Sequence, residues 1–122
     1  MAYLLVVDDD PSIRTVLNRR LTQWGYEVKE ASSATEALEM MMVETPAIVL
    51  LDINMPGHDG LWLAERIRAK WTGTPIIMVS GKDDLDVVQR AQKLGAIDFV
   101  RKPFDREILR QALLRAAMVL TE

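Results

Sequence analysis

Asp8 and Asp9 follow the apolar run YLLVV, Asp52 follows AIVLL, Ser80 follows PIIMV, and Lys102 closes the segment IDFVRK. These residue types suit one chemistry if the fold gathers them. Three carboxylates within reach of one another repel, and the pKa of at least one rises unless a cation joins them. Magnesium meets that demand, since it takes oxygen ligands, keeps several waters and commonly uses one or two carboxylates plus a phosphate. A lysine ammonium and a serine hydroxyl at the same place would hold phosphoryl oxygens. The set therefore fits phosphoryl transfer to a carboxylate, where positioning and charge stabilisation supply most of the catalysis. The absence of cysteine and a lone histidine, His58, lying off these segments argue against a soft-metal site.

The elements that must position these residues alternate. YLLVV (3–7), AIVLLD (47–52) and PIIMVS (75–80) are short continuous apolar runs, which predict strands buried on both faces. YEVKEA (26–31) alternates like an outer strand, and IDFVRK (97–102) supplies a fifth. Between them, Ile13, Val16, Leu17, Arg20, Leu21 and Trp24 recur at helical spacing, and further helices are expected in ATEALEMMMVE, GLWLAERIRAKW, DLDVVQRAQKLG and DREILRQALLRAAMVL. Asp10 before Pro11 predicts an N-cap, SATE (33–36) has the form of a capping box, and Gly25 and Gly95 suit helix ends.

Five strands each followed by a helix predict an α/β, doubly wound (βα)5 domain with a parallel sheet, helices on both faces and functional groups beyond the carboxyl ends of the strands. At 122 residues and 49% apolar content, a single domain spanning 1–122 is expected. Without cysteine, its stability comes from packing. The net charge of −3 and a pI near 5.2 argue against direct nucleic-acid binding through a broad basic face. No apolar stretch is long enough to span a membrane, and the start MAYLLVVDDD reaches acid too soon for a secretory signal, so a cytoplasmic location is expected.

Taken together and in this order, VVDDD, LLDINMPGHDG, PIIMVSG and FVRKPF resemble the receiver domain of two-component response regulators, with the resemblance covering essentially the whole chain. That resemblance implies the flavodoxin-like, CheY-like sheet order 2-1-3-4-5. It implies that Asp52 is the phosphoacceptor, taking its phosphoryl group from a phosphohistidine on a sensor histidine kinase or histidine phosphotransfer protein. Mg²⁺ would be held by the side chains of Asp9 and Asp52, by the backbone carbonyl of Asn54, and by Asp8 partly through water. Lys102 and Ser80 would contact the phosphoryl group, Ser80 and Phe99 would act as switch residues, and the bond before Pro103 would be cis. Asn54 and Lys82 would tune the lifetime of the phosphoryl group. The output would pass through residues 83–118 to an output domain, a target protein or a phosphorylation-dependent homodimer. The domain would catalyse its own phosphorylation and dephosphorylation without being an enzyme of steady turnover.

Plainer readings exist for each residue. Asp10 is a cap, Asp8 and Asp9 could be a solvated turn, and Asp52 could cap the following loop. Lys102 could be a surface lysine, Ser80 a turn former and Phe99 ordinary packing. They do not account for the convergence of the whole set on the strand ends. Three rival functions also differ in sequence. An aspartate-dependent phosphohydrolase would need a carboxylate where Asn54 stands, a nucleotide or flavin module would not place the anionic, glycine-free DDDPS after its first strand, and a contact-only relative would not need the acidic set. The tail, with Leu113, Leu114, Ala117, Met118 and Leu120, carries more apolar surface than one stripe requires.

Overall fold

The structure is a computed structural model and describes residues 2–57, 59–81, 85–102 and 105–120, of which 85–87 and 120 are described in backbone only. Five parallel strands, β1 (Leu4–Val7), β2 (Val28–Ala31), β3 (Ile48–Asp52), β4 (Ile76–Ser80) and β5 (Asp98–Arg101), form one sheet in the order β2-β1-β3-β4-β5. The three continuous apolar runs are the three inner strands, buried at every position, as expected of strands covered on both faces. The more polar β2 and β5 take the edges.

Successive side chains of each inner strand point to opposite faces. Leu5, Val7, Val49, Leu51 and Met78 join a core completed by α2 (Ala34–Val43), α3 (Gly60–Lys70) and α4 (Leu85–Lys93). Leu4, Val6, Leu50, Ile77 and Val79 join a second core under α1 (Pro11–Gln23) and α5 (Arg106–Leu120). The doubly wound expectation and its strand order therefore hold. Among the described residues, no helix is long and apolar enough to cross a membrane.

Local details follow the caps, with two adjustments. Asp10 caps α1 by accepting from Ser12 N at 2.8 Å. β2 starts at Val28 and not at Tyr26, because the Tyr26 amide is spent on Leu21 O at 3.1 Å while closing the α1 terminus around Gly25 (φ 94°). In the capping box, Ser33 Oγ accepts from Glu36 N at 3.1 Å, but Glu36 returns its carboxylate to Ser32 N at 3.0 Å. β2 ends at Ala31, which leaves the Ser32 amide outside the strand and available to that carboxylate.

A backbone contact sets the start of α3 against the end of β3, and an arginine side chain ties α3 to the end of α4. Gly60 N donates to Ile53 O at 2.9 Å, and a Cβ on Gly60 would stand 2.1 Å from Asp52 O. Only glycine allows the start of α3 to lie this close to the end of β3. Farther along α3, Arg68 donates from Nε to Leu94 O at 3.2 Å, from Nη2 to Gly95 O at 2.9 Å, and from Nη1 to Thr72 O. One guanidinium thus ties the carboxyl end of α4 to that of α3. Gly60→Ala is expected to lower stability by about 2–3 kcal/mol through overpacking against backbone, read as a fall in the urea midpoint; an unchanged midpoint would show that the helix shifts freely.

Candidate functional site

The register of the sheet brings all five chemical residues to one edge. Asp8 leaves β1 with its amide on Ala31 O at 3.1 Å, and its Oδ1 accepts from Asp10 N at 2.9 Å. Asp52 ends β3 and accepts from Asn54 N at 3.3 Å. Lys102 follows β5, and its amide donates to Ser80 O at 2.8 Å, fixing the lysine beside the end of β4. Its Nζ then lies 2.7 Å from Asp8 Oδ2 and 3.5 Å from Asp52 Oδ1.

Burial makes this arrangement costly. Asp8 is 1% exposed, Asp52 5% and Ser80 0%, whereas Asp9 is exposed. Carboxylate oxygens of Asp8, Asp9 and Asp52 all lie within 4.8 Å of one another. Burial first, and then the charge of Asp8, push the Asp52 carboxyl up to about 6, against the opposing pull of Lys102 and the Asn54 amide. Burial pulls Lys102 down, but its hydrogen bond to Asp8 and the fields of Asp52 and Asp8 outweigh that loss, and its pKa is raised. Three carboxylates thus face one ammonium, which leaves the group two positive charges short of neutralisation. Hard oxygen donors at this spacing suit a divalent cation.

The remaining candidates are placed unevenly. Ser80 Oγ accepts from Asn54 Nδ2 at 3.4 Å, linking the ends of β3 and β4. Phe99 is half-buried on the α4 side of β5, outside the acidic cluster, where it lines a cavity of about 190 Å³ with Val88 and Ala91. Lys82, Pro103 and His58 lie outside the described residues.

One contributor has no signature in the sequence. Arg14 donates from Nη1 to Asp8 O at 2.7 Å and from Nε to Glu30 Oε1 at 3.2 Å, while Asn18 Nδ2 holds Glu30 Oε2 at 2.7 Å. The arginine therefore fastens the loop bearing Asp8 and Asp9 to α1 and β2. In sequence it is merely a polar residue of α1, and its partner on β2 becomes visible only once the strand has paired.

With this geometry, residues 4–114 match the family model of the response regulator receiver domain. The chain belongs to that family. The receiver domain is 42% identical over 100 residues to the DNA-binding transcriptional regulator NtrC of Klebsiella pneumoniae, a match covering 82% of this chain and 21% of that protein. It therefore spans about a fifth of such relatives. It is 34% identical over 110 residues to sporulation initiation phosphotransferase F of Bacillus subtilis, covering 90% of this chain and 89% of the relative. Among solved structures, the response regulator protein TrrA of Thermotoga maritima in complex with Mg(2+)-BeF has a TM-score of 0.86 at 33% identity, covering 95% and 99% of the two chains. The fold and the two-component family are thereby settled.

The raised pKa sets a pH dependence for the metal-free receiver domain. Because the folded value, about 6, exceeds the ordinary 3.8, the native state binds this proton more tightly than the unfolded chain. The stabilisation due to protonation is full below the ordinary value and is lost as pH rises to about 6. Asp52→Asn is expected to raise stability by about 2–3 kcal/mol at roughly pH 7 and to change it little at roughly pH 3. Urea midpoints of the two proteins at both pH values check this; equal midpoints at neutral pH would refute it.

Proposed function

We propose that this receiver domain is a phosphorylation switch in which Asp52 accepts a phosphoryl group from a phosphohistidine on a sensor histidine kinase or histidine phosphotransfer protein. The observation that carries the reading is the placement of the Lys102 ammonium within 2.7 Å of Asp8 and 3.5 Å of Asp52, inside a group of three converging carboxylates. Mg²⁺ fits these residues, since their donors are all hard oxygens and their mutual repulsion calls for a cation. Asp9 and Asp52 would hold it through side chains, Asn54 through its backbone carbonyl and Asp8 partly through water. When bound, the ion supplies positive charge to the carboxylates and to the phosphoryl oxygens.

In the transfer itself, an Asp52 carboxylate oxygen forms a bond to phosphorus as the bond from phosphorus to the imidazole nitrogen breaks. The electron pair of that bond leaves with the imidazole, which takes up a proton. Asp52 must be ionised to attack, and with a pKa of about 6 it is so at neutral pH. Lys102 offsets charge on the transferred group, and Ser80, already at the end of β4, donates its hydroxyl to a phosphoryl oxygen.

The new dianion favours one of two conformations, and Ser80 and Phe99 relay that preference to the surface of residues 83–118. A following output domain, a target protein or a second copy would read that surface. The hydrolytic lifetime falls to Asn54, beside Ser80, and to Lys82. Residues 1–122 act as one receiver unit in the cytoplasm, without direct nucleic-acid contact and without steady enzymatic turnover. The Mg(2+)-BeF complex of TrrA supports the cation and phosphoryl parts of this reading.

Incubation with Mg²⁺ and acetyl phosphate, followed by intact mass and peptide mapping, tests it. The expected adduct sits on Asp52, is lost in Asp52→Asn, and accumulates at least tenfold more slowly in Lys102→Ala. Steady hydrolysis of the donor with no covalent state, or an adduct retained in Asp52→Asn, would overturn the proposal.

A further inference from the structure

The groove between α2 and α3 lies on the opposite face of the sheet from α1 and α5, and the phosphoryl chemistry does not use it. Its floor is apolar, with Leu38 and Met42 from α2 and Ala69 and Trp71 from the end of α3 around a hollow of about 290 Å³. Beside it, Met42 is 62% exposed and Val43, the last residue of α2, 89%.

The two walls of this groove carry opposite charge. α2 contributes Glu36 and Glu39 and no base, whereas the α3 wall contributes Arg66 and Lys70. The other charges of α3 are directed elsewhere, since Arg68 binds the carbonyls of Leu94 and Gly95 and Glu65 reaches its exposed neighbour Arg66 at 3.8 Å. Among the described residues, Glu39 has no ion-pair partner, and Lys70 meets Met42 Sδ and the Trp71 ring but no carboxylate.

Lys70 Nζ lies 2.8 Å from Met42 Sδ, which sets the register across the groove. One turn earlier on each helix, Leu38 is level with Arg66, and the exposed Glu39 follows it, turned about 100° outward. Both helices follow parallel strands and return along the same face, so they run in the same direction.

We propose that a second copy of this chain covers the groove, related to the first by a two-fold axis parallel to the two helices. That operation lays α2 of each copy on α3 of the other at an unchanged level. Glu39 of each copy then stands opposite Arg66 and Lys70 of the other, while Leu38, Met42 and Val43 close over Ala69 and Trp71. An axis across the helices would instead oppose acid to acid and base to base. A wholly acidic or wholly basic partner would be attracted by one wall and repelled by the other. The helices, of 10 and 11 residues, offer only about 15 Å of length. That is less than a standard stable interface needs, so the association is weak, with half-dimerisation at roughly 0.1–1 mM. The contact uses no residue of the acidic edge or of residues 83–118, and the inference stands independently of the phosphoryl reading.

Sedimentation equilibrium and ¹⁵N amide shifts of the receiver domain, followed from roughly 0.02 to 2 mM, test this. Concentration-dependent shifts are expected at Leu38, Glu39, Met42, Ala69 and Trp71. Glu39→Arg and Arg66→Glu should each weaken self-association by about tenfold or more, because each opposes like charges at both symmetry-related contacts. An equimolar mixture of the two variants restores opposite charges at both contacts and should associate within about threefold of the unaltered chain. Both variants should keep nearly unchanged urea midpoints and unchanged labelling of Asp52 by acetyl phosphate, which separates this outcome from failure of the switch. A monomer at the top of the concentration range, which would leave the groove to a different protein, would overturn the proposal. So would association unchanged in both variants, or a mixture that associates no better than either variant alone.

Discussion

The structure turns on holding two buried carboxylates, Asp8 and Asp52, against their own repulsion with a single ammonium between them. Removing the ammonium from such a buried group typically costs several kcal/mol, because the carboxylates are then left without a counter-charge or water. The parallel register brings the ends of β1, β3 and β4 level. Gly60 admits α3 close behind Asp52, and Arg14 secures the carbonyl of Asp8. Stability and position are thus obtained from the same contacts.

The repulsion left over has a use. A carboxylate with its pKa pushed to about 6 lies in a field that favours any added positive charge. Exposed Asp9 gives that charge an entry from solvent, whereas buried Asp8 is already occupied by Lys102. The two adjacent aspartates are therefore unequal in environment, and their difference arises from the alternation of the chain as it leaves β1.

Much of this was legible in the sequence because the inner strands are continuous apolar runs and their polar successors stand out against them. YLLVV, AIVLLD and PIIMVS fixed both the strand positions and the edge where Asp8, Asp52 and Ser80 meet. Less was visible where side chains bind backbone. The role of Arg14 depends on Asp8 O and on Glu30 across α1 and β2, and the return bond of Glu36 depends on where β2 stops. The α1 pattern included Val16 in its apolar stripe, yet half of that residue faces solvent, because the stripe is wider than the sheet can cover. Periodicity registers hydrophobicity but does not distinguish a core face from a seam between helices.

Arg68 joins the carbonyls of Leu94 and Gly95, just past α4, to the end of α3, and a side chain added at Gly95 would strike that guanidinium at 2.6 Å. The carboxyl end of α4 is therefore a fixed pivot. The residues of α4 lie progressively farther from this tie toward Leu85, so any tilt of the helix about its carboxyl end would displace its first turn the most.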